Sequence, residues 1–286
     1  MRNLHGIESF ALNHVSAPSL GWREFSDLAQ GLGCKGIELR NDLPKPIFEG
    51  DDARDVGLYC ADNGLRILAL AEVYGFNELT PEIEMQTAEL AKLAQLSGAE
   101  SIVLIPRKGG GPVSYESLCG ALERLGEVLS DHGVRGLVEP LGFQDSTLRD
   151  FSQTRRAIRE THGAGVFGIV HDTFHHHLAK EDALSAEYVS IIHVSGVSEF
   201  SDSEFQDADR VLVEEQDRLG TVDQLAKLIR AGCTASVSYE IFAQGVQNDP
   251  RRKENIRKSM DFVAQSVASR LGGDAALNEG SGMENA

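Results

Sequence analysis

The stretch LAKLAQLSGAESIVLIP, residues 90–106, contains the unit that decides the fold. Leu90 and Leu93 follow the spacing of one face of an amphipathic helix. Gly98 comes next, and a glycine just past a helix end commonly adopts the left-handed conformation that stops the helix. The apolar run Ser101–Ile105 then predicts a buried strand. The stretch therefore predicts a helix that leads directly into a β-strand.

The same succession of apolar run and helical segment occurs along the whole chain. Units of about 30 residues predict a parallel sheet with right-handed crossovers. Eight such units favour a closed barrel over an open, doubly wound sheet, and the length of 286 residues is typical of one barrel. The predicted strands are Ser9–Asn13, Gly36–Arg40, Leu65–Val73, Ser101–Ile105, Gly136–Pro140, Val166–Asp172, Val189–Val194 and Ser236–Phe242.

The fold class predicted is therefore α/β, with a single (β/α)8 TIM barrel over residues 1–271. The remaining segment, residues 272–286, reads GGDAALNEGSGMENA and is small, polar and aperiodic, so we expect a disordered tail. The first strand is not followed by the glycine-rich fingerprint of a dinucleotide-binding fold. The Gly109–Gly111 run lacks the Lys-Ser/Thr pair of a phosphate-binding loop.

Charge and composition exclude several classes of protein. The formal net charge of -17 opposes binding to nucleic acid, because it repels the phosphate backbone. No apolar stretch reaches the length of a membrane span, and the N-terminus lacks the apolar segment of a secretory signal. The four cysteines include no pair with CxxC spacing, which argues against a zinc knuckle or a redox motif. We expect a cytoplasmic protein that acts on a small molecule and could form a homo-oligomer.

Four consecutive predicted strands each present an ionisable residue at the carboxyl end. These residues are Glu139, Asp172, His193 and Glu240. In a barrel, the carboxyl ends of the strands meet at one face, where active sites form. Any one of the carboxylates alone could be a helix N-cap, and a lone buried histidine is more often a core residue than a ligand. Four at equivalent positions in adjacent strands instead indicate a common site.

Three converging carboxylates would repel one another unless a cation bound between them. The sequence therefore predicts that Glu139, Asp172, His193 and Glu240 bind one divalent metal ion. A site rich in oxygen ligands suits Mn2+ first, with Mg2+, Co2+ and Zn2+ as further candidates. Such an ion can act as a Lewis acid and stabilise an enediolate, while a carboxylate beside it moves the proton α to a carbonyl.

At these residues the sequence resembles the xylose-isomerase-like barrel superfamily of sugar isomerases and epimerases, and within it the 2-keto-myo-inositol isomerases most. The similarity covers roughly residues 10 to 265. The segments that carry it are Ala11-Leu12-Asn13, Gly36-Ile37-Glu38-Leu39-Arg40, Val138-Glu139-Pro140-Leu141-Gly142, Gly168-Ile169-Val170-His171-Asp172-Thr173-Phe174-His175, Ile192-His193-Val194, Asp209-Arg210-Val211 and Tyr239-Glu240-Ile241-Phe242.

The resemblance implies specific roles for several residues. Glu139 and Glu240 would be metal ligands and also the acid/base pair on opposite faces of the substrate carbon. His175 and Arg210 match residues that contact substrate in the family. The loop after Arg210 lacks the family's Pro-Gly pair, so Arg218 competes with Arg210 for the substrate-binding role. The same departure weakens the assignment to a keto-inositol.

Glu38 and Arg40 stand at the end of the second strand, where they either orient the site or form an ion pair inside the barrel.

The function predicted is a metal-dependent isomerase or epimerase of a ketose or keto-polyol, by proton transfer through a metal-stabilised enediolate. A lyase on the same scaffold, either a decarboxylase of a 3-oxo sugar acid or a dehydratase, is the alternative. A DNA-repair nuclease with this barrel would need additional histidine ligands on the third and fourth strands, which carry none. A sugar-binding relic without turnover would lack a ligand, yet all four are present.

Overall fold

Eight parallel strands form a closed barrel in a computed structural model, in which each strand pairs with the next and β8 pairs with β1. The structure describes residues 6–198 and 204–280, with side chains through residue 272. The predicted single (β/α)8 barrel is confirmed. The strands are β1 Phe10–Asn13, β2 Gly36–Arg40, β3 Arg66–Tyr74, β4 Ser101–Ile105, β5 Arg135–Val138, β6 Phe167–Asp172, β7 Val189–Val194 and β8 Ser236–Tyr239.

Helices follow the strands and form the outer layer of the barrel. They are α1 Trp22–Leu32, α2 Ala53–Asp62, α3 Pro81–Ser97, α4 Tyr115–His132, α5 Phe151–Glu160, α6 Thr173–Ala179, α7 Thr221–Arg230, α8 Gln244–Gln247 and α9 Arg252–Gly280. Helix α3 shows how the sequence sets the bounds of these helices. The Thr80 side chain accepts a hydrogen bond from the Ile83 N–H, Pro81 occupies the first turn, and Gly98 ends the helix with φ of 68°.

Side chains along each strand alternate between two apolar layers, because successive residues of a β-strand point to opposite faces. In β4, Ile102 and Leu104 pack in the larger cluster between the sheet and the helices. Val103 belongs to the second cluster, which fills the inside of the barrel. In β2, Ile37 and Leu39 lie in the outer cluster, so the residues between and after them turn inward. Any polar residue of the inward set therefore faces the interior of the barrel.

The strand ends differ from the sequence prediction at the residues that matter most. β5 ends at Val138 and β8 ends at Tyr239, so Glu139 and Glu240 are the first residues beyond their strands. Both still donate their backbone N–H to the neighbouring strand, Glu139 to Leu104 O at 3.1 Å and Glu240 to Val194 O at 3.0 Å. The backbone of each glutamate is therefore fixed by the sheet although it begins a loop.

The last helix, α9, continues to Gly280 and so covers residues 272–280 of the segment whose composition predicts disorder. This stretch contains alanine and leucine, which are good helix formers. Residues 281–286 lie outside the described residues, and the domain boundary at 271 stays a prediction. None of the helices that the structure describes is both long and apolar enough to cross a membrane.

Candidate metal centre

The alternation along β6 explains why Asp172, and not its neighbour, faces the interior of the barrel. Ile169 packs in the outer cluster and Val170 in the inner one. By the same alternation His171 points outward, where its ring lies 5.0 Å from that of Phe151. Asp172 points inward, and it is fully buried. Two adjacent ionisable residues in the sequence therefore have different roles, one in the layer between sheet and helices and one at the site.

The four predicted ligands converge at the carboxyl end of the barrel. Glu139, Asp172, His193 and Glu240 each offer one donor atom, and these atoms all lie within 4.8 Å of one another. Asp172 and His193 are direct register partners across β6 and β7. The Nδ1 atom of His193 is 3.2 Å from Glu139 Oε1, 3.3 Å from Glu240 Oε2 and 3.9 Å from Asp172 Oδ2. All four residues are buried.

The other nitrogen of His193 is bound by a carboxylate from β2. The Nε2 atom lies 2.9 Å and 3.1 Å from the two carboxylate oxygens of Glu38, which is fully buried. The hydroxyl of Ser238 donates a hydrogen bond to the same carboxylate at 2.5 Å. Because Glu38 accepts the proton on Nε2, the Nδ1 atom is the nitrogen that can ligate a metal ion. A fixed imidazole nitrogen facing three carboxylates fits a divalent cation.

A buried arginine closes one side of the cluster. The Arg210 Nη2 atom donates to Asp172 Oδ2 at 2.6 Å and to Glu240 Oε2 at 2.7 Å. Its guanidinium lies between the rings of Phe174 and Phe242, at 4.9 Å and 4.8 Å from their centroids. The sequence placed Arg210 among the substrate-contacting residues, and the structure places it directly against two predicted ligands.

Arg40 contacts Glu240 as well, through the carboxylate oxygen that Arg210 does not contact. Its Nη1 atom donates to Glu240 Oε1 at 3.1 Å, and Asn13 Nδ2 donates to this oxygen at 3.2 Å. The guanidinium also pairs with Asp42 at 2.6 Å and with Glu72 at 3.0 Å. The second strand is expected either to orient the site or to form an ion pair inside the barrel. The contacts agree with both, because Glu38 hydrogen-bonds His193 and Arg40 forms ion pairs.

The surroundings push the pKa values of the two proposed acid/base residues apart. Burial raises the pKa of Glu139 to about 7, and the nearby Glu240 and Asp172 carboxylates add to the rise. Burial would also raise the pKa of Glu240, but the positive charges of His193, Arg210 and Arg40 hold it well below its ordinary value.

Burial disfavours the protonated, charged form of His193, yet the carboxylates around it raise its pKa well above normal. A metal ion bound at Nδ1 would displace that proton.

A cavity of about 220 Å³ opens above the cluster, and Glu139 and Glu240 line it. His175 lines it as well, buried to 3% exposure, and its Nδ1 atom has no hydrogen-bond partner among the described residues. Arg210 also contributes to the wall. Arg218 is exposed and is absent from the described residues that line this cavity. Arg210 therefore faces the cavity, whereas Arg218 lies on an exposed loop, and substrate contact by either residue stays a prediction.

The cavity also contains functional groups outside the predicted set of metal-binding and substrate-binding residues. Glu72 lines the cavity, and burial raises its pKa to about 7. Tyr74, Lys108 and Phe143 line the same space. Glu72 lies near the carboxyl end of β3, so a systematic reading of strand ends would have found it. Phe143 and Lys108 lie in loops, for which no periodicity indicates which side chains turn inward.

Comparison with known proteins agrees with this architecture. Residues 26–266 match the sequence family described as xylose isomerase-like TIM barrel. A xylose isomerase domain containing protein from Salmonella typhimurium is 30% identical, with a TM-score of 0.82 and coverage of 92% of this chain and 97% of that one. No curated protein matches the sequence significantly.

Two more distant structures share the fold. The IolI protein, solved with a zinc atom, is 18% identical with a TM-score of 0.78 and coverage of 92% of this chain and 99% of that one. D-psicose 3-epimerase from Clostridium cellulolyticum H10, solved with D-tagatose, is 15% identical with a TM-score of 0.66 and coverage of 92% and 98%. The family match spans most of the chain and the barrel has the same architecture. The chain belongs to the xylose isomerase-like TIM barrel family.

Proposed function

We propose that the protein is a divalent-metal-dependent isomerase or epimerase of a ketose or keto-polyol. One observation carries the proposal. Among the four clustered residues, Glu139 and Glu240 are the two that line the cavity, and they reach it from β5 and β8, on either side of His193. Two carboxylates exposed to one small cavity can act on one substrate carbon from two directions.

The residues present fit a metal ion, and Glu139, Asp172, His193 and Glu240 would hold it. Mn2+ is our first candidate, followed by Mg2+, Co2+ and Zn2+, and the IolI structure holds zinc. When bound, the ion would supply Lewis-acid stabilisation of negative charge on substrate oxygens. Glu38 and Ser238 orient His193, and Arg40 and Arg210 keep Glu240 ionised.

The proposed reaction moves one proton at a time. One of the two glutamates accepts the proton from the carbon next to the substrate carbonyl, and the electron pair of the broken C–H bond enters the enediolate. The other glutamate, protonated at the start, then donates its proton. In an epimerisation the proton goes to the opposite face of the same carbon. In an isomerisation it goes to the former carbonyl carbon, and the proton of the adjacent hydroxyl passes to the former carbonyl oxygen. His175 and Arg210 would hold substrate oxygens at the cavity wall.

A screen in deuterated buffer tests the proposed function. The protein would be loaded in turn with Mn2+, Mg2+, Co2+ and Zn2+ and incubated with keto-inositols, ketoses and 3-oxo aldonates. We expect an isomer or epimer that carries deuterium at the exchanged carbon, detected by NMR. Release of CO2 or loss of water would favour the lyase alternative. If no metal form changed any compound, the proposal would be wrong.

The acid/base pair is tested by Glu139→Gln and Glu240→Gln, since glutamine keeps an oxygen ligand but cannot accept the proton. We expect each to lower kcat by roughly 100- to 10,000-fold, the usual contribution of general acid–base catalysis. Glu127→Gln, in an exposed part of α4, is the matched control and should keep wild-type kcat. Metal content would be measured in parallel. Full turnover in both site variants at full metal content would contradict the proposed roles.

A further inference from the structure

The charges in the cavity wall distinguish one cation from the others. Of the residues that the structure describes, three with cationic side chains line the cavity: Arg40, Lys108 and Arg210. Arg40 is neutralised by three carboxylates at 2.6 to 3.1 Å. Arg210 is neutralised by Asp172 and Glu240 at 2.6 and 2.7 Å and by a third carboxylate at 3.3 Å. Both arginines are therefore already paired with carboxylates of the protein.

Lys108 differs, because no carboxylate in the described part of the chain lies within ion-pair distance of it. Its ammonium instead lies 3.8 Å from the centroid of the Phe143 ring. Both residues line the cavity, and Lys108 is half-buried there. A cation over an aromatic face is attracted by the ring but keeps its charge, so it can still bind an anion.

The backbone of Lys108 is held by neighbouring elements, while its ammonium is placed by the contact with the Phe143 ring. The Lys108 N–H donates to the Tyr74 hydroxyl at 2.8 Å, and Lys108 forms an antiparallel bridge with Ser146. Lys108 follows β4, next to β5, which carries Glu139 at its end. The same cavity thus extends from the carboxylates of the metal centre to an ammonium held by neighbouring loops.

We propose that Lys108 binds an anionic group of the substrate, which makes the substrate an acidic ketose or keto-polyol bearing a carboxylate or a phosphate. The proposal rests on the proposed function for the identity of the reacting carbon, but the binding role of Lys108 can be measured without turnover. Tyr74 and Phe143 hold the lysine in position, and the metal centre takes the carbonyl end of the substrate. A neutral sugar would leave the ammonium without a partner in the cavity.

Binding of unreactive polyols tests this role directly. D-gluconate carries a carboxylate, glucitol 6-phosphate carries a phosphate, and glucitol is neutral. We expect calorimetry on the Mg2+-loaded protein to show that at least one of the two anions binds roughly 10- to 100-fold more tightly than glucitol, as a charge-assisted hydrogen bond predicts. The anion that binds more tightly than glucitol identifies carboxylate or phosphate as the group recognised.

Variants then assign the preference to Lys108. Lys108→Met keeps the length of the side chain and its contact with the ring but removes the charge, so the preference for the anion should fall to within about threefold of glucitol. Lys108→Arg should keep part of the preference for the anion. Lys92→Met, an exposed lysine on α3, is the matched control and should keep the wild-type preference.

The outcomes separate this inference from the proposed function. Equal binding of glucitol and both anions by the wild type, or an unchanged preference in Lys108→Met, would overturn the role of Lys108 even if neutral ketoses were isomerised. A preference that depends on Lys108 would support it even if the deuterium screen found no turnover. In that case the proposed reaction would be wrong and the acidic ligand class would stand.

Discussion

The two ring nitrogens of His193 have different neighbours, and this difference would suit the residue to the proposed metal binding. Nε2 is held by the fully buried Glu38, whereas Nδ1 faces Glu139 and Glu240. Glu38 in turn accepts a hydrogen bond from the Ser238 hydroxyl. A carboxylate behind a ligating histidine fixes the ring and increases its basicity. Glu38 is therefore a positioning residue, since it acts on the site through His193.

Replacing Glu38 tests this arrangement at the level of one residue. Glu38→Gln keeps the size of the side chain but removes the negative charge that holds Nε2–H, so we expect metal affinity to fall by roughly 10- to 100-fold. Competition with a chelator would measure the affinity, and circular dichroism would check the fold. Glu100→Gln, at an exposed ion pair, is the control and should bind metal as the wild type does. An unchanged affinity in Glu38→Gln would contradict the positioning role.

At the scale of the element, each helix is held to the barrel by one apolar face, and α4 is a clear example. The leucines that the sequence spacing assigns to this face are buried against the sheet. Leu125 is fully buried in the outer core cluster. The opposite face of the helix carries exposed charged residues such as Arg124 and Glu127, which form an ion pair. The apolar face that the helical spacing predicts is therefore the face that packs against the barrel.

Leu125→Ala is expected to lower the free energy of unfolding by about 2–5 kcal/mol, because it removes buried methyl groups and leaves a cavity. Urea denaturation followed by circular dichroism would measure the change. Leu58→Ala on α2 is the same substitution at a side chain that is 63% exposed, and it should change the free energy of unfolding by at most about 0.5 kcal/mol. Equal losses in the two variants would show that α4 is not anchored by this face.

For the molecule as a whole, buried neutral histidines should make stability depend on pH. His14 is stacked on Phe25, its ring nitrogen Nε2 contacts the Leu20 carbonyl at 3.1 Å, and burial lowers its pKa to about 4. His171 is buried between sheet and helices, and its pKa is lowered to about 3 for the same reason. Below pH 6.5 the unfolded chain binds protons at these residues while the folded chain does not, so acid favours unfolding.

The stability that His14 contributes is therefore complete above pH 6.5 and is lost as the pH falls from 6.5 toward 4. Between pH 7 and pH 5 this single residue should account for about 2 kcal/mol of the loss in free energy of unfolding. His14→Gln, which can keep the hydrogen bond to Leu20, should reduce that loss by a similar amount in urea titrations at both pH values. His132→Gln on α4 is the control. A pH dependence of His14→Gln equal to that of the wild type would contradict this origin.

The remaining expectations for the whole molecule concern the kind of ligand, the cellular location and the oligomeric state. The match to the family and the barrel agree with action on a small molecule. The cytoplasmic location and the homo-oligomer stay predictions.

Much of this protein could be predicted from the sequence because its signals are local. The period of the helices, the glycines at their ends and the eight apolar runs are properties of neighbouring residues, and they determined the barrel. The four metal-binding candidates were also recognisable, because a barrel brings the carboxyl ends of its strands to one face. Knowing that face was enough to select Asp172 and His193, which are adjacent in the register of β6 and β7.

The tertiary structure alone decided which groups complete the site. Glu38 and Ser238 reach His193 from strands distant in the sequence, and Lys108 comes to the cavity from a loop. Such contacts depend on the closure of the barrel and on loop conformations, which no periodicity encodes. The sequence by itself thus determined the barrel and the four candidate metal ligands, since both follow from repeated local patterns. The partners of those ligands and the charge left for a substrate depend on long-range packing, and only the folded chain could decide them.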